Sequence, residues 1–414
     1  MGWGELGILE RMKIDGGRAL ALASVTTLLK LMCMGLVVSP MHIAFANTAS
    51  SYTSTSETVS GNSFQANLKS EKPDSRGVFS DEIAPSEKLT EARTFADTGL
   101  SFSHMYPGFA DLCDIDSPLR NMSIKREPRS NKSSRNSKRQ VNQDTAKHKR
   151  SARQPIAPQR VFDNLYYVGA GNVASWAIDT GDSIVLIDAL NNAAQASKYI
   201  VDGLATLGLA DKPISHLIIT HGHGDHYGGQ KWLSTRYNVE VIMSDREWRW
   251  LQDGGDGFSS PSWGAAPEEG TAVSNGKILE VGHMRFQFFD TPGHTPGTLS
   301  VVFSVVDNGA AHKAVLWGGT GLNYGPDANR IKAYTQSAIK MQQVVKDQQI
   351  DVFLSNHPKR DGTLGKMKAL HHREPNQTHP FVVGSDITAA GFEMLENCTK
   401  AQWMKIEALA EETK

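Results

Sequence analysis

Four potential metal ligands lie within six consecutive residues, 221–226, whose sequence is His-Gly-His-Gly-Asp-His. The apolar run 217–219 directly precedes them and predicts a strand that delivers these ligands into a loop. Imidazole and carboxylate groups are typical donors to Zn²⁺, and the two glycines let the backbone turn between them at low steric cost. The alternative is a solvated histidine-rich loop without a metal, but the interleaved Asp225 and the preceding strand favour a metal site.

Two further histidines follow predicted strands. His294 lies in a loop rich in proline and glycine, after the alternating run 284–289. His357 lies just beyond another short apolar run, 353–354. Taken alone, each is more often a hydrogen-bonded loop histidine than a metal ligand. Together with residues 221–226 they complete two sets of three donors.

These motifs resemble the metallo-β-lactamase superfamily, whose signature is His-x-His-x-Asp-His followed downstream by two separated histidines. The resemblance runs from about Val161 to near the C-terminus, and the Pro-Gly-His-Thr-Pro-Gly loop and the Asn-His-Pro turn add to it. It implies an α/β fold, the four-layer αββα sandwich, for a catalytic domain over residues 156–414. It also implies that Asp188, which ends the apolar run 184–187, supports the metal loop rather than binding metal.

The resemblance implies a cofactor of two Zn²⁺ ions. The ligands that it assigns are His221, His223 and His294 for the first ion and Asp225, His226 and His357 for the second. Many superfamily hydrolases have a bridging Asp after the strand that corresponds to 314–317, but residues 318–321 here read Gly-Gly-Thr-Gly. That absence resembles the β-lactamase subclass with an Asp-His-His second site and argues against the glyoxalase-II-like and ribonuclease-like branches. Thr320 would orient water or a neighbouring group there, or it simply caps a turn.

Three protein ligands per zinc leave an open position, which is typical of a catalytic site. A zinc-bound water would ionise near a pH of about 7, and the hydroxide would attack the carbonyl of an amide, ester or thioester. Asp225 would act catalytically by orienting it. The favoured function is an exported β-lactamase, an activity that confers antibiotic resistance. The alternatives are a related hydrolase of a lactone, thioester or other cyclic ester or amide, and a non-catalytic zinc-binding or surface-interaction protein.

The overall charge of the chain is balanced. Its 414 residues include 43 Lys and Arg and 44 Asp and Glu, which gives a formal net charge of −1. Because this balance provides no general attraction to polyanions, no nucleic-acid partner is expected. The expected partner is a small-molecule substrate, and nothing in the sequence indicates an oligomeric state.

Residues 1–46 resemble a targeting segment. Lys13 and Arg18 precede the apolar stretch 31–38, and Ala44-Phe45-Ala46 fits a small-x-small cleavage site. We therefore expect a signal peptide and a periplasmic or secreted protein. The alternative is an uncleaved membrane anchor, because the charged region before the apolar stretch is long.

Residues 47–155 are predominantly polar, and Lys and Arg dominate between 125 and 153. Such a segment buries too little apolar area to offset its conformational entropy, so we predict a polar and basic low-complexity linker that is mostly disordered. The basic run lacks the interleaved aromatic residues of a nucleic-acid stacking site, which favours a solvated linker. One less polar island, 102–113, ends at Cys113. After signal removal Cys113 and Cys398 would remain, and they would pair in an oxidising compartment or stay as free thiols.

The rest of the chain alternates between strand and helix patterns. Strands are predicted at 164–168, 174–178, 184–187, 239–243, 301–306 and 314–317, and helices at 192–207, 334–346 and 389–411. The aromatic and glycine-rich stretch 248–263 either covers a substrate or packs beneath its own loop. Tyr227 and Asn323 are candidate substrate contacts because they lie beside metal loops.

Overall fold

Two β-sheets lie at the centre of the structure, a computed structural model that describes residues 85–123 and 156–413. Within these residues, the first sheet contains, side by side in chain order, β1 (Gln159–Phe162), β2 (Leu165–Tyr167), β3 (Trp176–Asp179), β4 (Ile184–Ile187), β5 (Ile214–Ile218), β6 (Glu240–Ser244) and β7 (Thr271–Val273). The second sheet has the spatial order β12-β11-β10-β9-β8 and contains β8 (Ile278–Val281), β9 (Met284–Asp290), β10 (Leu299–Asp307), β11 (Ala310–Trp317) and β12 (Val352–Ser355).

The strand directions place the candidate ligands at common edges of the sheets. In the first sheet β4 and β5 are parallel neighbours, so Asp188 and residues 221–226 follow the same ends of these two strands. In the second sheet β11 is parallel to β12, and β9 and β11 both run antiparallel to β10. Because β9, β11 and β12 therefore point the same way, the loops that contain His294, Thr320 and His357 leave that sheet at one edge.

A large hydrophobic core lies between the two sheets. Met284, Phe286 and Phe288 of β9 are buried in it together with side chains of the first sheet such as Trp176, whereas Arg285 is exposed. This period of two follows from the pleat, which turns alternate side chains to the same face. Burial of a phenylalanine side chain stabilises the fold by about 1.5–3 kcal/mol, so the alternation also fixes the register of the strand.

Helices cover the outer face of each sheet. The helical segments packed outside the first sheet are α2 (Ala193–Gln195), a π-helical turn (Ala196–Val201), α3 (Asp202–Thr206), α5 (Gln230–Tyr237) and α6 (Asp245–Gln252). Outside the second sheet lie α7 (Ala328–Gln348) and α9 (Ser385–Glu412). Two shorter helices, α4 (Gly224–Tyr227) and α8 (Thr363–His371), follow strands at the edges that carry the candidate ligands. The predicted αββα sandwich is confirmed.

The boundary predicted for the folded domain at residue 156 is too late. Helix α1 (Pro85–Ser101) and a 3₁₀ helix (Pro107–Cys113) lie inside the stretch 47–155 and are ordered. Ala92, Ala96 and Gly99 are buried, and a side chain at Gly99 would begin 2.6 Å from the sulfur of Cys398 in α9. Helix α1 packs through small residues, which add little to local hydropathy, and for this reason the sequence looked like linker.

The 3₁₀ helix is joined to α9 by a disulfide between Cys113 and Cys398, which are 285 residues apart in the sequence. The aromatic side chains of Tyr106 and Phe109 pack against Phe353 of β12, with ring centroids 5.2 and 6.0 Å apart respectively. The island that the sequence singled out therefore belongs to the core beneath α9, together with the disulfide.

The expected signal peptide in residues 1–46, the remaining linker and the basic run 125–153 lie outside the described residues. Among the helices that the structure does describe, none combines the length and the apolar character that a membrane crossing requires.

Candidate metal centre

The loop after β5 turns tightly and leads directly into α4. His223 precedes the helix in an extended conformation, and Gly224 is its first residue. A side chain at Gly224 would begin 2.5 Å from the indole of Trp263, so only glycine fits this close approach. The turn places the side chains of residues 221–226 around one region instead of spreading them along an extended strand.

The first cluster consists of His221, His223 and His294. The Nε2 atom of His294 lies 3.1 Å from Nε2 of His221 and 3.1 Å from Nδ1 of His223. One nitrogen from each ring lies within 4.8 Å of the other two. All three side chains are buried, with 0, 5 and 3% exposure in that order. Three convergent, buried imidazoles form a donor set that suits a borderline cation such as Zn²⁺.

The second cluster consists of Asp225, His226 and His357. A carboxylate oxygen of Asp225 lies 3.5 Å from Nε2 of His226 and 3.9 Å from Nε2 of His357. The side chains of Asp225 and His357 are 22 and 27% exposed, so this cluster reaches the surface. It lies directly beside the first, because the rings of His221 and His226 have centroids 4.0 Å apart.

The outward-facing nitrogens of the imidazoles have partners that orient each ring. His221 Nδ1 lies 3.1 Å from the Thr220 hydroxyl, and His294 Nδ1 lies 2.6 Å from the carbonyl oxygen of Gly321. His357 Nδ1 lies 2.8 Å from the carbonyl oxygen of Asn172. When Nδ1 donates to an oxygen, the lone pair is on Nε2, which in each of these rings faces the cluster.

His226 gives a direct test of whether the site fits a metal. Its Nδ1 atom lies 2.6 Å from a carboxylate oxygen of Asp188, while its Nε2 atom is buried and has no hydrogen-bond partner among the described residues. A buried nitrogen without a hydrogen bond costs free energy unless something else satisfies it, and the nearby carboxylate oxygen of Asp225 is 3.5 Å away, beyond the usual hydrogen-bond distance. That nitrogen faces the second cluster, so a metal ion there would supply the missing partner. The residues fit the group that the motif implies.

Asp188 lies where the sequence placed it and supports the loop. Its carboxylate accepts hydrogen bonds from the backbone N–H and the hydroxyl of Thr220 at 2.8 and 2.9 Å, in addition to its contact with His226. The backbone of Asp188 has a φ of 64°, a left-handed conformation that Asp and Asn adopt more readily than most residues.

The protonation states differ between the clusters. Burial, together with the neighbouring imidazoles, holds the pKa of His221 and of His294 well below the usual histidine range. Partial burial and the nearby His226 lower the pKa of His357 to about 4. These three rings are therefore neutral at pH 7, which is the form that binds metal.

The charged groups of the second cluster reinforce one another. Burial alone would lower the pKa of His226, but Asp225 and Asp188 beside it raise the pKa to about 10. Burial would raise the pKa of Asp225, but His226 and His357 hold it below the usual range. Asp225 is therefore ionised, and a metal ion that binds here displaces a proton from His226.

Glu247 is a site residue that the sequence analysis missed. Its fully buried carboxylate accepts from the backbone N–H of Gly222 at 2.5 Å and from that of Gly297 at 2.7 Å, so it joins the loop of residues 221–226 to the loop of His294. The signal was present as Ser244-x-x-Glu247, a capping-box pattern at the start of α6. Ser244 does cap the helix, but the Glu247 carboxylate reaches between the two metal loops instead of back to the cap.

Arg330 and Asp256 were also missed. Arg330, near the start of α7, donates from Nε to the carbonyl oxygen of Gly293 at 3.1 Å and from Nη2 to the carbonyl oxygen of His294. A carboxylate oxygen of Asp256 lies 3.6 Å from Nη2 of Arg330 and 3.6 Å from Nε2 of His223. Arg330 therefore holds the backbone of His294, and Asp256 lies opposite the outer nitrogen of His223.

The aromatic side chains of the stretch 248–263 lie in two different environments. Trp248 is buried beneath its loop, and its indole N–H donates to the carbonyl oxygen of Thr271 at 3.4 Å. In contrast, Trp250, Phe258 and Trp263 surround His223, with ring centroids 6.0, 5.3 and 6.5 Å from the imidazole. These three rings enclose the first cluster on one side.

The remaining candidates lie close to the clusters. Thr320 is buried in the loop that packs on His294, between Gly319 and the Gly321 carbonyl that contacts this imidazole. Asn323 follows in the same loop, and its carbonyl oxygen accepts from the backbone N–H of Met122 at 2.7 Å. Tyr227 directly follows residues 221–226 and is partly buried. These positions leave the predicted roles of Thr320, Tyr227 and Asn323 as expectations.

Known sequences match part of this chain. The family model of the metallo-beta-lactamase superfamily matches residues 168–308, which include residues 221–226 and His294. A probable metallo-hydrolase, YybB, from Bacillus subtilis is 27% identical over 128 residues, or 30% of this chain and 54% of the relative. A hydroxyacylglutathione hydrolase from Rhodopseudomonas palustris is 30% identical over 101 residues, or 24% of this chain and 33% of the relative. The chain thus matches about half or less of the length of these curated relatives.

Comparison with solved structures covers more of the fold. The subclass B3 metallo-beta-lactamase BJP-1 of Bradyrhizobium japonicum superposes with a TM-score of 0.51 and 25% identity, over 63% of this chain and 96% of that protein. The FEZ-1 metallo-beta-lactamase from Legionella gormanii gives a TM-score of 0.51 and 24% identity, over 62% of this chain and 97% of that protein. The second likeness supports the fold alone.

Proposed function

We propose that this chain, whose residues 168–308 match the metallo-β-lactamase superfamily, is a dizinc hydrolase that opens the amide bond of β-lactam rings. The observation that carries the proposal is the pair of adjacent three-donor clusters, with five imidazoles and one carboxylate. A structural zinc site is usually closed by four protein ligands, whereas three leave a position for water or substrate.

The donor set favours zinc over harder ions. Magnesium and calcium prefer sites made of oxygen ligands, whereas neutral imidazoles suit Zn²⁺. When bound, zinc supplies Lewis acidity, which polarises a carbonyl and makes water acidic enough to ionise near neutral pH. His221, His223 and His294 would hold one ion, and Asp225, His226 and His357 the other.

The residues of the chain itself position the reactants. The ionised carboxylate of Asp225 is partly exposed beside the first cluster, so it can accept a hydrogen bond from a reacting water and hold its proton. Asp188 fixes the ring of His226, and Glu247 fixes the separation of the two loops. Trp250, Phe258 and Trp263 exclude water from one side of the site, which strengthens electrostatic interactions within it.

Two observations support a β-lactam as the substrate. The loop 318–321 has no carboxylate to bridge the two clusters, so the second cluster retains the Asp-His-His composition expected of one β-lactamase subclass. The superposed BJP-1 is named as a subclass B3 metallo-beta-lactamase. Fold similarity alone does not determine substrate, so the ligand composition is the stronger of the two arguments.

A thioester hydrolase is the second candidate. The observation that favours it is the matching segment in a hydroxyacylglutathione hydrolase, which is 30% identical over 101 residues. A lactone or another cyclic ester would place a similar carbonyl at the same ions. These substrates differ in their leaving groups, so the rate of hydrolysis, and not the affinity of binding, distinguishes between them.

The setting we propose is an exported one, the periplasm or the extracellular medium. The disulfide between Cys113 and Cys398 supports it, because such bonds persist in oxidising compartments. The charged and apolar pattern of residues 1–46 supports it independently.

A hydrolysis panel tests the proposal. Purified zinc-loaded protein is assayed on a penicillin, a cephalosporin, a carbapenem, a lactone and a glutathione thioester, each with chelator and again after zinc is restored. We expect β-lactam turnover that chelation abolishes and zinc recovers. His223→Ala should lose this activity, whereas His371→Ala, an exposed histidine in α8, should keep it. Turnover of the thioester or lactone alone would transfer the assignment to the second candidate.

A further inference from the structure

A second concave region lies beside the metal clusters and has no role in the catalytic steps described above. It is a cavity of about 670 Å³, within the range of roughly 300–1,000 Å³ typical of small-molecule sites. Two separate parts of the described chain form its walls, namely Ile156 with the turn 170–172 between β2 and β3, and residues 358–365 between β12 and α8.

The cavity adjoins the second cluster through two residues. The carbonyl oxygen of Asn172 in its wall accepts the hydrogen bond from Nδ1 of His357, at 2.8 Å. Pro358, also in the wall, follows His357 directly in the chain. The cavity therefore adjoins the outer side of the His357 ring, next to the partly exposed edge of the second cluster.

The lining is mainly apolar. Ile156, Ala170, Pro358 and Leu364 supply hydrocarbon surface, and the side chain of Leu364 remains 38% exposed. A large apolar side chain left in contact with water at a concave site gains free energy when a ligand covers it. The side chains of Lys359 and Asn172 add polar groups at the same cavity without changing its overall character.

We propose that this cavity binds the apolar acyl substituent of the substrate, so that the protein prefers β-lactams with aliphatic acyl side chains over those with short or charged ones. The inference rests on the proposed function for the identity of the ring and adds the class of substituent. Each methylene buried from water contributes about a fourfold gain in binding. Chain length should therefore raise kcat/KM stepwise until the cavity is filled.

Gly365 provides a variant that fills the cavity without damaging the fold. It lies in the cavity wall and in the first turn of α8, and an added Cβ atom there would meet no described atom within 4 Å. Gly365→Phe adds a ring at the cavity wall, where we expect it to occupy part of the cavity, while Gly365→Ala makes the same backbone change with little volume and serves as the matched control. Neither substitution touches a residue of the two clusters.

The experiment compares penicillins that differ only in a straight acyl side chain of two, four, six and eight carbons. For the unsubstituted protein and Gly365→Ala, we expect kcat/KM to rise about fourfold for each added methylene, mainly through a lower KM. For Gly365→Phe, the dependence on chain length should disappear while the rate with the two-carbon substrate is retained. The same chain-length dependence in all three proteins would overturn the inference.

A binding measurement separates this inference from the proposed function. Uncharged octanamide is titrated into the zinc-loaded protein and followed by saturation-transfer NMR. We expect binding to the unsubstituted protein and Gly365→Ala and its loss in Gly365→Phe. Binding with this pattern in a protein that hydrolyses no β-lactam would refute the proposed ring but keep an acyl site. Absence of octanamide binding alongside normal β-lactam turnover would refute the acyl site alone.

Discussion

The two clusters use similar ligands but differ in exposure and in charge. His221, His223 and His294 are almost completely buried, and none of the three contributes a formal charge when its imidazole is neutral. Asp225 and His357 are partly exposed, and the second cluster includes the carboxylate. We therefore expect the first cluster to anchor an ion and the second to face solvent and substrate.

The supports of the clusters differ in the same way. Two rings of the first cluster have neutral partners, because His221 Nδ1 faces the Thr220 hydroxyl and His294 Nδ1 faces the Gly321 carbonyl oxygen. The second depends on a charged side chain, because Asp188 holds His226 and raises its pKa together with Asp225. Removing the charge of Asp188 should therefore weaken zinc binding at the second cluster more than at the first.

The largest expected effect comes from removing one ligand of each cluster and comparing the losses. His221→Ala should reduce kcat/KM for a β-lactam by more than about 100-fold, beyond the roughly 10- to 100-fold loss typical of residues that only support a ligand. His357→Ala should cause a smaller loss, because water can occupy a ligand position that is already partly exposed. Rates and zinc content by atomic absorption, measured on the same samples, provide the comparison.

The control for this pair is His216→Ala. His216 lies in β5 just before the metal loop, but its imidazole faces Glu240 at 3.5 Å and not the clusters. This variant should keep its rate and its zinc. A loss in His357→Ala that equals or exceeds the loss in His221→Ala would reverse the proposed division between the clusters.

The candidate ligands could be found from the sequence because each lies in a short motif at the end of a recognisable strand. Residues 221–226 follow an apolar run, and His294 and His357 follow strands whose patterns are clear. Local pattern is sufficient here, since parallel strands in a sheet end at a common edge and so bring their loops together. The architecture followed from the same alternation of strands and helices.

The features that could not be predicted from the sequence depend on contacts between segments that are far apart in the chain. The Ser244 and Glu247 pattern predicts a helix start, but only the folded structure turns the Glu247 carboxylate toward Gly222 and Gly297. Helix α1 was not predicted because small residues form its buried face, and a hydropathy pattern does not reveal the close packing of two helix backbones. The cavity near Gly365 has walls from two stretches nearly 200 positions apart, about which periodicity carries no information.

A smaller effect on activity should come from Asp188→Asn, which tests the charged support of the second cluster. Asn retains the shape of Asp and tolerates the left-handed backbone at this position, but it removes the negative charge beside His226. We expect a loss of about 10- to 100-fold in activity and weaker binding of the second zinc. Titration with zinc, followed by hydrolysis rate at each addition, would detect it.

Asp182→Asn is the matched control, because Asp182 is exposed on the turn before β4. It should behave like the unsubstituted protein. If Asp188→Asn instead weakened the binding of both zinc ions equally, the two clusters would share one support, and the contrast between neutral partners in the first cluster and a charged partner in the second would be wrong.

The smallest effect on activity, and the largest on stability alone, should come from Cys398→Ala. The disulfide to Cys113 closes a loop of 285 residues on the side of the second sheet away from the core between the sheets, so its loss should lower the free energy of unfolding by about 2–4 kcal/mol. Cys113→Ala removes the same bond and should give the same loss, measured by denaturant unfolding with both variants at equal zinc. Activity per folded molecule should stay unchanged in both, because neither cysteine contacts a cluster. A fall in that activity would show that the bond also steadies the backbone pairing of Arg120 and Met122 with the loop 323–325, and so reaches the His294 side of the site.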